Sequence, residues 1–265
     1  MKTLLVGDTH LMARIILLKV REVIKELNVK RIILMGDYTD QWGCVDFDGC
    51  YKDDLRFLYR WKQEMVSQGV EVVMLAGNHD VPYLIDKQVS YSVANLFTFE
   101  WVKQLLYDLE LQIAYRLDDV LVSHAGYTED YEPMKWHFET IISKFKDKLD
   151  ELHNHIGLSR GGRYITGSPI WADFRRDMTD YYHKDYPKQI VGHSWVESIT
   201  LDQDIIGIDT FSLDTNYKPL GNGDMLLYEN GNLIVIEFPE WRSREYQNKR
   251  IECFEKSSCF QNGNN

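Results

Sequence analysis

Short apolar runs that stop at a glycine and then a polar residue recur through the first third of the chain. "TLLVG" (3–7), "RIILMG" (31–36) and "VEVVMLAG" (70–77) each read as a buried strand, followed by Asp8, Asp37 and Asn78. Between them the apolar spacing becomes helical. Over 11–27, Ile16, Val20, Val23, Ile24 and Leu27 fall on one face, and 52–67 forms a second helix. Strand, helix, strand, helix, strand predicts a parallel sheet with right-handed crossovers.

Helical spacing returns at 93–109, through Ala94, Phe97, Trp101, Leu105 and Leu109. It returns again at 135–152, through Phe138, Ile141, Phe145, Leu149 and Leu152. The intervening "LQIAYRLDDVLVSHAG" reads as two strands joined at Leu117, Asp118 and Asp119. Beyond a glycine-rich loop (157–168), short strands are expected around 189–191, 197–201, 204–208, 224–228 and 232–237. Glu229-Asn230-Gly231-Asn232 supplies a hairpin turn between the last two. Parallel units first and antiparallel strands last predict an α/β fold, a sandwich of two sheets flanked by helices. One domain over 1–240 is expected, followed by a charged and polar C-terminal arm, 241–265, packed on its surface.

Composition adds little, since 44% apolar and 27% charged residues are ordinary for a globular protein. Charge says more. With 41 acids against 30 bases the net charge is −11, a surface that repels nucleic acid and anionic membranes. Neither is expected as a partner, and an anionic substrate would need a local source of positive field, such as bound metal. No stretch reaches the roughly 18 to 20 apolar residues of a membrane span. Asp8 and His10 interrupt the first apolar run before it resembles a signal peptide, so cytoplasmic residence is expected. Cys44, Cys50, Cys253 and Cys259 form two Cys-x5-Cys pairs, which is not a zinc-knuckle spacing, and they are read as remaining thiols.

Candidate chemistry sits where the strands end. In α/β sheets functional groups gather past the carboxyl ends of strands. Those exits carry Asp8 and His10, then Asp37 and Asp40, then Asn78, His79 and Asp80, then His124 in "LVSHAG", and finally His193 in "IVGHS". Any one of them is explained by turn or cap formation. All five together are not. Carboxylates, imidazoles and an amide oxygen make a borderline-hard donor set suited to Mn²⁺, Fe or Zn²⁺.

"GDTH", "GDYTDQWG", "GNHD", "SHAG" and "VGHS" together resemble the successive blocks of the calcineurin-like metallophosphoesterases, over roughly residues 2 to 210. The resemblance implies a four-layer α/β/β/α sandwich of two mixed sheets flanked by helices. It implies two divalent metal ions, Mn foremost with Fe or Zn as alternatives. Asp8 and His10 would hold the first, Asp37 would bridge, and Asn78, His124 and His193 would complete the second. His79 would be the general acid and Asp40 its orienting carboxylate. A hydroxide bridging both ions would attack phosphorus in line. Gly192-His193-Ser194-Trp195, with no second histidine, is similar to the phosphoprotein-phosphatase branch, which includes bacterial and phage phosphatases and dinucleoside tetraphosphatases. "IGIDT" (206–210) is similar to a strand in that branch.

The chain departs from that branch where Asp-Arg-Gly is usual, reading Asp40-Gln41-Trp42-Gly43. Leu11 and Ala125 replace glycines, and Asp80 stands where Glu is frequent. Replacement arginines lie in "SRGGRYITGSPIWADFRR": Arg160, Arg163, Arg175 and Arg176, with Arg163 and Arg175 favoured as a bidentate phosphate clamp. Tyr38, Trp42 and Tyr127 adjoin the blocks and are expected to line the pocket. His153 and His155 are expected to be solvated.

A phosphatase of phosphate monoesters is therefore expected, with a protein Ser/Thr phosphatase as the family-level reading and phosphorylated molecules as partners. The alternative enzyme hydrolyses a nucleotide, a dinucleoside polyphosphate or a phosphodiester. A catalytically silent scaffold would show broken ligand blocks, and here all six ligands and the His79–Asp40 pair are retained.

Overall fold

The computed structural model describes residues 1–255. Strand β1 (Lys2–Val6) is apolar on both faces because both faces are covered. It lies at the centre of a five-stranded sheet, between β2 (Arg31–Leu34), with β3 (Glu71–Met74) beyond, and β8 (Met225–Glu229), with β9 (Asn232–Ile236) beyond. β1, β2 and β3 run parallel, joined by helices α1 (Ala13–Leu27) and α2 (Asp48–Ser67), while β8 and β9 add antiparallel. A second sheet orders β4 (Ala114–Leu117), β5 (Val120–Ser123), β6 (Gln189–Val191) and β7 (Ile205–Gly207), antiparallel at the first pair and parallel thereafter.

The period-two alternation of the strands builds the layers. Leu5, Ile33, Val73 and Leu226 of the first sheet share a core with Val122, Ile190 and Ile206 of the second, which is the inter-sheet layer. Leu4, Val6, Ile32 and Leu34 face the other way, into the apolar stripes of α1, α2 and α4 (Leu96–Asp108). The outer face of the second sheet is covered by the short helix α6 (Asp177–Asp180) and by loops, where Met178 packs on Ala125, Val191 and Ile205. The expected sandwich of two mixed sheets is the observed architecture. Among the described residues no helix is long and apolar enough to cross a membrane.

Three expectations of local structure change. The single helix over 135–152 is broken into a 3₁₀ turn (Lys135–Phe138), a second (Ser143–Phe145) and α5 (Lys146–Asn154). The interruption has a backbone cause: Ile113 N donates to His137 O and Ile141 N to Leu111 O, which draws this stretch alongside residues 111–113. Residues 197–201 form no strand. In α4 the buried face is Phe99, Val102, Leu105 and Leu106, and Phe97 points out, because Asn95 caps the helix and sets its phase.

The two hairpins are as expected. Asp118 sits at φ +55°, and Asn230 and Gly231 are both left-handed, as the tight primed turn demands. Of the expected polar arm, the described part holds a 3₁₀ turn (Pro239–Arg242) and helix α7 (Arg244–Glu255), with Trp241 and Phe254 packed into the first core. Residues 256–265, including Cys259, lie outside the described residues.

Candidate active site

Five strands deliver the polar groups to one edge of the sandwich. Asp8 follows β1, Asp37 follows β2, Asn78 follows β3, His124 follows β5 and His193 follows β6. Contacts tie the two sheets together there. His193 N donates to both oxygens of Asp8, at 3.0 and 3.3 Å. His124 Nε2 lies 3.1 Å from Asn78 Oδ1 and 3.5 Å from Asp37 Oδ2, and His10 Nε2 lies 3.6 Å from the same Asp37 oxygen. The six residues expected to bind metal converge.

The backbone is bent to achieve this. His10, Asp37, Asp40 and His193 all adopt left-handed φ, between +40° and +62°, a conformation that costs a non-glycine residue about 1 kcal/mol or more. Close approach fixes two neighbours as glycine. A Cβ on Gly77 would stand 2.0 Å from Asp37 Oδ1, and one on Gly192 would stand 2.4 Å from Asp8 Oδ1. The carboxylate of Asp80 holds the turn from beneath, accepting N–H bonds from Gly77, Asp37 and Tyr38 at 2.8 to 3.0 Å.

Two imidazoles are turned by backbone carbonyls. His124 Nδ1 meets Met35 O at 2.8 Å and His10 Nδ1 meets Asp40 O at 2.9 Å, which leaves each Nε2 facing Asp37 as a lone-pair donor. His193 Nε2 is buried and meets no hydrogen-bond partner among the described residues. An orphaned buried nitrogen is costly unless something outside the chain satisfies it.

Charge tells the same story. Asp8, Asp37, Asp80 and Asp209 are all buried. Burial, with Asp209 and Asp37 nearby, pushes Asp8 well up, and burial pushes Asp80 up to about 7. Asp37 is held low against its burial by His124, His79 and His10. Burial drives His124 down and His193 well down, the latter assisted by Arg160. Buried acids beside imidazoles that resist protonation need a cation from elsewhere. Asp37 belongs to two donor groups, one with His10 and His79 and one with His124 and His193, whose ligand atoms lie within 4.8 Å of one another. The donor set fits divalent metal.

His79 has a second attachment. Its Nδ1 lies 3.2 Å from Asp40 Oδ2, so Nε2 is the atom left to meet a ligand or a leaving group. Burial opposes its charge, yet Asp37 and Asp40 raise it to about 9.

The arginines are placed differently from one another. Arg160 pairs with Asp173 at 3.0 Å and donates to Ser194 Oγ, one residue from His193. Arg175 lies 4.6 Å over the ring of Trp195, two residues past His193. Arg163 stacks on its neighbour Tyr164, 5.1 Å from the ring, and is exposed. Gln41, at the position of the missing arginine, turns back to accept from Trp42 N.

Several expectations do not survive packing. Tyr38 and Tyr127 are wholly buried, bonded to Leu34 O and to His137, and do not line an open pocket. Trp42, by contrast, is 61% exposed and stays open to solvent, as a pocket-lining residue would. His153 is buried rather than solvated, and His155 stacks on Tyr164. Sequence reasoning also missed Asp209, although "IGID" repeats the signal of an apolar run ending in an acid. Tyr51 and Tyr83, which hold Asp40, carry no local signal because they arrive from helices.

A family model described as calcineurin-like phosphoesterase matches residues 1–196. Comparison with curated protein sequences gives no match. Among solved structures, a cold-active protein-tyrosine phosphatase from a psychrophilic Shewanella species is 18% identical, over 90% of this chain and 78% of its own, with a TM-score of 0.55. A protein serine/threonine phosphatase from Saccharomyces cerevisiae is 14% identical over 89% and 79%, with a TM-score of 0.53. A hypothetical protein from Pyrococcus horikoshii is 12% identical over 96% and 93%, at 0.52. At these identities the likeness is one of fold.

Proposed function

Because this chain belongs to the calcineurin-like phosphoesterases, and is thus a metal-dependent hydrolase of phosphoric esters, we propose that it is a cytoplasmic phosphatase of monoesters with a dinuclear centre. Asp8 and His10 would hold one divalent cation, Asn78, His124 and His193 would hold the other, and Asp37 would serve both. Mn²⁺ is the proposed ion, with Fe and Zn²⁺ as alternatives that the same N/O set accommodates. The observation that supports this reading is Asp37 itself, a buried carboxylate 3.5 Å from His124 and 3.6 Å from His10, beside an unpartnered His193 Nε2.

When bound, the cations supply charge neutralisation of the phosphoryl group and a nucleophile from water at neutral pH. The chain does the rest. Arg160, held by Asp173 and Ser194, and Arg175, held on Trp195, clamp the phosphate oxygens in an otherwise acidic molecule. His79 donates a proton from Nε2 to the departing oxygen, while Asp40 keeps Nδ1 and so fixes the ring. A phosphorylated serine or threonine side chain is the proposed substrate. A nucleotide or dinucleoside polyphosphate is the second reading, supported by the exposed faces of Trp42 and Trp195 beside the site, which could stack a base.

The test is a substrate panel assayed with Mn²⁺: p-nitrophenyl phosphate, its bis-ester, a phosphopeptide and a dinucleoside tetraphosphate. Turnover of the first and third and neglect of the second is the expected result. Preference for the fourth selects the nucleotide reading, and inertness toward all four removes the proposal.

A further inference from the structure

Asp40 is buried, and two phenols close on one of its oxygens. Tyr51, from α2, donates to Oδ1 at 2.8 Å, and Tyr83, from α3 (Val81–Leu84), donates to the same atom at 2.6 Å. Both tyrosines are fully enclosed. Burial first, and then the charge of Asp40, hold both phenols far above their ordinary range, so each keeps its proton and stays a donor. The Tyr83 oxygen is itself fixed, because Val93 N donates to it at 2.9 Å.

An ionised carboxylate oxygen offers two good acceptor directions. Both on Oδ1 are taken. The carboxylate therefore cannot rotate without breaking short charge-assisted bonds, and Oδ2 is left toward His79 Nδ1 at 3.2 Å. Two helices, α2 and α3, meet at this one atom. The Tyr83 hydroxyl also serves Val93 N, but among the described hydrogen bonds that of Tyr51 serves Asp40 alone, and phenylalanine would fill its volume.

We propose that Tyr51 and Tyr83 are positioning residues for the acid step: by saturating Asp40 Oδ1 they lock the carboxylate that aims His79 at the departing oxygen. This rests on the reading of His79 as the general acid. Without the phenols, Asp40 swings and the imidazole it steers loses its fixed direction. The cost falls on proton donation, and binding of the phosphate through the arginines is left intact.

Leaving-group dependence reads this out. Dinitrophenolate departs without a proton, whereas phenolate needs one. Tyr51→Phe, Tyr83→Phe, the double variant and His79→Asn are compared on phenyl phosphate and dinitrophenyl phosphate at saturating Mn²⁺. For His79→Asn, kcat is expected to fall about a hundredfold on phenyl phosphate and only a few-fold on the dinitro ester. For the double tyrosine variant the corresponding losses are about tenfold and less than about threefold, with KM unchanged. Equal losses on both esters, or none in the double variant, would overturn the positioning role while leaving His79 in place. If His79→Asn itself shows no dependence on the leaving group, the general-acid reading falls first and takes this one with it. Tyr83→Phe also strips Val93 N of its acceptor and is expected to lower Tm. Tyr51→Phe removes no acceptor of a backbone N–H, so it carries the test if the other variant folds poorly.

Discussion

Asp37 is the residue on which most of the site leans. Three imidazoles lower its proton affinity, and it lies within reach of both donor groups. Asp37→Asn keeps the shape and removes the charge, so bound metal measured after gel filtration is expected to drop, and kcat to fall by at least about a hundredfold. A variant that retains full metal and activity would move the centre elsewhere. The arginines divide in the same way. Arg160 is braced by Asp173 and donates to Ser194, one residue from His193, while Arg163 lies on Tyr164. Arg160→Ala is expected to cut kcat/KM about tenfold, the worth of a charge-assisted contact. Arg163→Ala is expected to change it less than about twofold. Steady-state kinetics on p-nitrophenyl phosphate decide between them.

At the scale of elements, one helix finishes another. Met12, at the N-terminus of α1, offers no side-chain cap. Asp54 of α2 reaches across instead, accepting from Ala13 N and Arg14 N at 3.0 Å each. This buried carboxylate serves as the missing cap and orients the helix that follows the Asp8–His10 turn. Asp54→Ala is expected to cost about 2 kcal/mol in urea unfolding, with an unchanged m-value. Loss below about 0.5 kcal/mol would show that water caps α1 as well. Apart from 197–201, the strands were legible from pattern, because polar or glycine residues end the apolar runs. Helix phase was not. Phe97 carries the apolar signal of α4 yet is 89% exposed, since the Asn95 cap and the packing of Phe99 set the rotation.

For the whole molecule, acid is the natural challenge. His137 is buried, with Tyr127 Oη 2.7 Å and Met134 N 3.2 Å from its Nδ1, and burial followed by Lys148 lowers it to about 4. It is neutral in the fold, and the unfolded chain takes up its proton below about pH 6.5. Stability is therefore complete above that pH and falls as pH drops toward the folded value. Asp54, pushed up to about 6 by burial, titrates in the same window with the opposite sign. The comparison that isolates His137 is between proteins. The loss of unfolding free energy from about pH 7.5 to about pH 5 is expected to be smaller in His137→Gln than in the wild type by about 2 kcal/mol. An identical loss in both would show that the histidine is solvated.

The order of the chain alone determined a good deal. Period-two and helical spacing gave the α/β alternation, the two hairpins and the strand exits, because local burial writes itself into local pattern. Those exits presented nine polar residues, and the family resemblance picked out from them the six candidate ligands with His79 and Asp40. Only the tertiary structure decided which groups meet. Tyr51 and Tyr83 reach Asp40 from two helices, Asp80 ties three strand-end amides, and Arg160 rather than Arg163 lies beside His193. Such contacts join residues far apart in sequence, and no spacing rule can register them, since a hydrogen bond depends on where two folded segments come to lie and not on how many residues separate them.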